Sequence, residues 1–157
     1  MEELNNPESE LFKNTLEKQK KFISERLKKI RNKYLDDNFI VAPQKKENIV
    51  RHLNNGIAAN LIQTFFNYKT DTCIFCNGVK GENSIRQIER AHCNNYCRSD
   101  ILLLAVSEIS DKLYSGETVT AGEILKKFIE KHDDCPIYML CNKCHNKYDN
   151  SAKCSMV

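Results

Sequence analysis

Two Cys-x2-Cys pairs, Cys73/Cys76 and Cys141/Cys144, lie about 65 residues apart in this 157-residue chain. No other feature constrains the fold as much. A Cys-x2-Cys turn presents two thiolates to one ion, and a second turn completes the tetrahedral shell that zinc prefers, with sulfur at roughly 2.3 Å. The spacing predicts one structural zinc held by Cys73, Cys76, Cys141 and Cys144, tying together distant parts of the chain. Turn residues support the first knuckle, which follows Thr72 and precedes Asn77-Gly78. Disulfides would need an oxidising compartment. The opening MEELNNPESE is acidic and polar, unlike a secretory leader. No apolar run approaches the ~18 residues of a membrane span. The expectation is therefore an intracellular protein of cytoplasm or nucleus, not secreted, made by a cell or by a virus replicating in one.

Around the knuckles, periodicity predicts an α+β chain that is mostly α. Phe12, Leu16, Ile23, Leu27, Ile30 and Tyr34 recur at helical spacing, which reads as one amphipathic helix over about 7–36 with Asn6 as N-cap and Pro7 in its first turn. A second helical region, from Ile49 to Phe66, is broken at Asn54-Asn55-Gly56. Residues 84–92 form a strand candidate, and IYML before the second knuckle is another. Between them lie two helices, one opening near Asp100 and ending before Gly116, the other capped by Thr120. The organisation expected is a helical, basic arm over 1–69 and a zinc-stabilised unit over 70–157 with a helical insertion at about 99–133.

Charge is unevenly spread. Residues 1–70 carry 13 Lys and Arg against 9 Asp and Glu, and the run Lys18–Lys33 holds eight basic residues against Glu25 alone. Such a face suits phosphates, with Lys20, Lys21, Lys28, Lys29 and Arg31 as the contacts expected. The bland alternative is a solvated helix face. The apolar stripe opposite should pack on the protein's own core, a homodimer seam being its second use. Cys93, Cys97, Cys135 and Cys154 remain, and they read either as buried thiols or, with His132, as a second ion site. His52, beside Leu53, reads as structural.

Three further residues carry chemistry. His92 ends the first strand candidate, in ERAHC, while His145 and Asp149 follow the second knuckle at i and i+4, on one helix face. A histidine facing a His/Asp pair can bind a divalent ion and activate water. The order Cys-x2-Cys, ERAHC, LCNKCHNKYD resembles an HNH endonuclease of the ββα-metal fold, over about residues 70–151. That resemblance implies His92 as general base, and His145 with Asp149 nearby at a catalytic Mg²⁺ or Mn²⁺ ion. It implies DNA as substrate. Arg90, two residues before His92 on a regular strand, would meet the phosphate. The pattern departs at Ala91, where many members carry an acid. It departs again at the middle asparagine, where Asp134 is the expected substitute and Asn94 or Asn95 the alternative. The same residues admit a second reading: a zinc-braced module without catalysis that binds nucleic acid or a protein partner. In that case His92 is a core histidine and His145 caps the zinc turn. A third use is a protein-interaction adaptor working through the Phe12-to-Tyr34 stripe.

Overall fold

The computed structural model describes residues 1–93 and 97–151. A short 3-10 turn, Glu2–Leu4, precedes the first helix, α1 (Glu10–Lys29). The N-cap of α1 is Ser9, whose hydroxyl accepts from the Phe12 amide, and not Asn6, whose side chain instead closes a turn on the Glu8 amide. The helix also ends earlier than its periodicity suggests. At Ile30 the backbone becomes extended, although Ile30 and Tyr34 still pack on the core. The face of α1 turned inward is Phe12, Thr15, Gln19 and Ile23, so two of its four fully covered residues are polar.

Helices α2 (Lys46–Leu53) and α3 (Ala59–Phe65) are joined through a wide turn at Asn54–Ala58. Gly56 adopts φ +79° there, a conformation open to glycine, and this is the break read from Asn54-Asn55-Gly56. Strand β1 covers only Ile88–His92, because Asn83 and Ser84 turn with positive φ before it. Helix α4 (Arg98–Tyr114) and helix α5 (Ala121–Glu130) form the insertion, followed by a 3-10 turn at Lys131–Asp134. Thr120 caps α5 in a full capping box with Glu123. Strand β2 (Ile137–Cys141) then runs straight into α6 (Asn142–Ser151). Among the described residues no helix is long and apolar enough to cross a membrane.

The two strands pair antiparallel, with Ile88 opposite Cys141 and His92 opposite Ile137. Successive side chains on a strand alternate between faces. Glu89, Ala91, Tyr138 and Leu140 therefore share one face of the ribbon, and Arg90, His92, Ile137 and Met139 the other. Each face closes a separate core. Ile137 joins the larger one, built from α1 to α5 and including Leu61, Phe65, Leu102 and Phe128. Ala91, Tyr138 and Leu140 join a smaller one with Tyr148 of α6, Ile85 and three of the knuckle cysteines.

The N-terminal turn seals that smaller core. Leu4 is fully buried in it, Tyr138 Oη donates to the Leu4 carbonyl at 2.8 Å, and Tyr148 Oη donates to Asn5 Oδ1 at 2.6 Å. The acidic, polar N-terminal segment is thus packed on the unit formed by β1, β2 and α6.

Candidate functional site

Local hydrogen bonds shape each knuckle before any ion is considered. In the first, the Cys73 amide donates to the Gly78 carbonyl at 2.9 Å and the Asn77 amide to the Cys73 carbonyl at 2.9 Å. Asn77 sits at φ +60°, and the Gly78 amide donates to Cys76 Sγ at 3.3 Å. The Ile74 amide donates to the Met139 carbonyl at 3.0 Å, which pins this turn to β2. In the second knuckle Cys141 ends β2 and Cys144 lies in the first turn of α6, its amide donating to Cys141 Sγ at 3.4 Å.

The four sulfur atoms all lie within 4.8 Å of one another, with Cys76 and Cys141 at 3.9 Å. A tetrahedron of sulfur about an ion at roughly 2.3 Å has edges of about 3.8 Å. The four cysteines could therefore hold a metal ion such as zinc. Burial would push the Cys73 thiol up, but the backbone amides of Cys76, Cys141 and Phe75 bring it down to about 7, whereas burial and the neighbouring cysteines push Cys144 up, so without an ion the four thiols do not ionise together. Among the described residues no other group brings three ligand atoms so close. Cys93 and Cys135 are buried, and burial pushes Cys135 up to about 12, which suits an inert thiol. Cys97 donates to Asp100 Oδ2 at 3.1 Å at the start of α4. Cys154, Asn94 and Asn95 lie outside the described residues.

The expected convergence of His92 with His145 and Asp149 is not what the ribbon produces. His145 Nδ1 faces Glu89 Oε2 at 3.4 Å, and its Nε2 faces Asp149 Oδ2 at 3.5 Å. This trio lies on the face of the ribbon covered by α6. His92 belongs to the opposite face, where its Nε2 lies 3.4 Å from Nε2 of His132. The physical reason is strand parity. Glu89 and Ala91 alternate with Arg90 and His92, so the side chain that α6 meets from β1 is Glu89. Asp134 is exposed on the 3-10 turn after α5, beyond His132. Arg90 shares the face of His92, as a regular strand requires. Lys20, Lys21, Lys28, Lys29 and Arg31 are all exposed, and so is His52 on α2.

The sequence offers His132 only as a ligand of a second ion beside Cys93, Cys97 and Cys135; the structure sets it against His92. It is fully buried, edge-on to Phe128 with centroids 4.9 Å apart and tilted against Phe66 at 4.7 Å. Its Nδ1 lies 2.8 Å from the Phe128 carbonyl. A carbonyl only accepts, so Nδ1 carries the proton. Burial pushes His132 down to about 4, leaving it neutral near pH 7 with Nε2 as a bare lone pair. That lone pair accepts from His92, so the His92 proton is on Nε2. His92 is pushed down to about 3 by burial first and then by the charges of His132, Arg98 and Arg90. Its Nδ1 is left as the unprotonated nitrogen of the ring, with no hydrogen-bond partner among the described residues. No protein-family model, curated protein or solved structure matches this chain.

Proposed function

We propose that this chain is an HNH-type endonuclease that hydrolyses DNA phosphodiester bonds with the help of a divalent ion. The observation that carries the reading is the His132–His92 hydrogen-bond chain. It fixes one tautomer, keeps the imidazole neutral near pH 7 and leaves Nδ1 of His92 as a lone pair at the end of β1. A neutral imidazole with a bare lone pair can accept a proton, but burial and the neighbouring cations that hold His92 down to about 3 make it a weak base until a phosphate beside it adds negative charge. The order of elements is also that of a ββα-metal unit: a knuckle, a strand ending in histidine, an antiparallel strand, a second knuckle and a helix.

In the reaction a water oxygen bonds to phosphorus while its proton passes to His92 Nδ1. The phosphorus–oxygen bond to the leaving sugar breaks in line, and the departing oxygen takes a proton from solvent. Arg90, on the same face, offers its guanidinium to a phosphate oxygen. Glu89, His145 and Asp149 offer one nitrogen and two carboxylates, donor types that suit Mg²⁺ or Mn²⁺. In the structure each carboxylate faces a different nitrogen of the His145 ring. When bound there, such an ion would offset negative charge on a phosphate that reaches the α6 face of the ribbon, the face opposite His92. A zinc ion in the four-cysteine cluster would hold β2, α6 and the first knuckle in register. The exposed lysines of α1 would dock neighbouring phosphates.

One observation favours the second reading, a zinc module that binds nucleic acid or a protein without cutting. His92 and His145 stand on opposite faces of the ribbon, and Ala91, at the position between them, is 3% exposed and carries no ligand atom. Plasmid nicking decides between the two. With Mg²⁺ or Mn²⁺, purified protein should nick supercoiled DNA, and His92→Ala should abolish nicking while keeping the wild-type circular dichroism spectrum, its thermal melt lowered by the unpaired His132 Nε2 it leaves. Intact plasmid with wild type, or equal nicking by His92→Ala, refutes the nuclease reading.

A further inference from the structure

Segment 38–42 lies beside the start of α5 and carries one half of an isolated antiparallel bridge, Ile40 opposite Thr120. The bonds of the bridge flank that pair. The Val41 amide donates to the Val119 carbonyl at 2.8 Å, and the Ala121 amide to the Phe39 carbonyl at 2.9 Å. Ile40 is thus in a non-hydrogen-bonded position, and its own N–H and C=O point away from Thr120, toward the outer edge. Among the described residues, neither group has a hydrogen-bond partner. The amides of Asn38 and Ala42 are unpaired too, and the Ala42 carbonyl meets only Gln44 Nε2, at 3.3 Å. All of this edge is open to solvent. Phe39 and Ile40, at 63% and 62%, are the most exposed large hydrophobic residues described.

We propose that this edge is a dimer interface, in which segment 38–42 of two copies of the chain pairs antiparallel about a two-fold axis between their Ile40 residues. Each Ile40 N–H then donates to the Ile40 C=O of the other copy, and Asn38 and Ala42 of the two copies meet on either side. Phe39 comes opposite Val41 of the second copy, which covers part of its exposed ring. Charge names the second copy as the occupant. Asp36 and Asp37 stand four and three residues before Ile40, and Lys45 and Lys46 five and six residues after it. A two-fold centred on Ile40 carries each copy's acids toward the other's lysines, whereas a parallel pairing sets acid beside acid. Among the described residues, none of these four side chains forms an ion pair within its own chain.

The pairing closes at two copies. The inner edge of the segment is already used by Val119 and Ala121, so each chain offers one free edge here and the ribbon cannot grow into a fibre. The edge is also short. Pro43, which lacks an N–H, ends it on one side, and on the other the Asp37 side chain bends the chain by accepting from the Phe39 amide at 2.8 Å. So few residues bury well below the roughly 1,600 Å² of a standard interface, and association should be weak and concentration-dependent. The stripe of α1 is not available for the same purpose, since Phe12 and Ile23 are covered by the chain itself. Neither His92 nor the knuckle cysteines take part, so a chain without hydrolytic activity would dimerise equally well.

The test follows full-length, metal-replete protein by sedimentation equilibrium from about 1 to about 500 µM, with amide hydrogen exchange at both ends of that range. Dimer should replace monomer as concentration rises, and the Ile40 amide should exchange several-fold more slowly in the dimer. Ile40→Lys sets two cations against each other across the axis and should weaken dimerisation about tenfold while keeping the wild-type circular dichroism spectrum. Asp36→Lys should weaken it about threefold, and Lys45→Asp added to that variant should restore the wild-type constant. This charge exchange decides the matter if Ile40→Lys fails to fold. A monomer throughout the range, a dimer indifferent to Ile40→Lys, or a charge exchange without effect or rescue overturns the proposal. So does a chain that stays monomeric while an unrelated extended peptide or a single-stranded oligonucleotide protects the Ile40 amide.

Discussion

The neutral pair His92 and His132 makes acid sensitivity a quantitative consequence of the packing. Both groups sit far below the ordinary histidine value of 6.5, at about 3 and about 4, so the unfolded chain binds protons before the folded one does. Stability must then rise with pH across this range and be lost as pH falls below 6.5, the His132 share levelling off below about pH 4 and the His92 share below about pH 3. Between pH 7 and pH 5 each histidine contributes a loss of about 2 kcal/mol, or about 4 kcal/mol together, with the His92 share somewhat smaller for its partial exposure. Carboxylates and metal-binding thiolates also titrate, so the wild-type slope alone decides nothing. Comparison with His132→Leu isolates the pair. Leucine is accommodated between Phe66 and Phe128, removes one neutral histidine and relieves the repulsion that His132 exerts on His92. Urea melts at pH 7, 6 and 5 should show wild type losing about 2 kcal/mol more than the variant over this range. Parallel curves, within about 0.5 kcal/mol, would refute the buried neutral pair and the tautomer chain built on it.

Three other perturbations test the frame around the site. Gln19→Leu strips the Ile137 amide and the Cys135 carbonyl of the Gln19 side chain and leaves the His132 carbonyl only its bond from the Cys135 amide, and should cost about 3 kcal/mol in a denaturant melt. Gly122→Ala would place a Cβ at 2.5 Å from the Leu35 carbonyl oxygen and 2.8 Å from that of Asp37. Backbone cannot yield as a side chain can, so a loss of about 2 kcal/mol or more is expected by thermal melt; an unchanged midpoint would contradict the close approach. Elemental analysis should find about one zinc per chain. Chelation should then abolish hydrogen-exchange protection at the Ile74 and Cys144 amides while α4 and α5 stay protected. A metal-free preparation with those amides still protected would remove the role given to the cysteines.

What the sequence reveals here follows the range of the interaction involved. The four cysteines declare themselves because two-residue spacing and thiolate chemistry are local, and the long gap between knuckles only says that the fold must return. The Thr120–Glu123 box and the Asn55–Gly56 break are local too, and both are where their residues put them. Helix α1 is overextended by its periodicity because Ile30 and Tyr34 remain apolar contacts after the helix has stopped. Gln19 is missed for the opposite reason. An apolar stripe gives no sign of a polar residue that works at 113 residues' distance, on the His132 carbonyl.

The site shows the same division in sharper form. Proximity to the knuckles suggests that His92 and His145 meet, but alternation along five residues of strand sends them to different cores. Glu89 and Ala91 point toward α6, while His92 turns toward Ile137 and a histidine 40 positions away at the end of α5. That partner could not be inferred from ERAHC, since His132 acquires its place only when α5 packs beside Phe66. The insertion therefore has a physical task in this fold. It delivers the group that fixes the His92 tautomer, so a change in α5 packing should be felt first at the nitrogen of His92 that does not face His132.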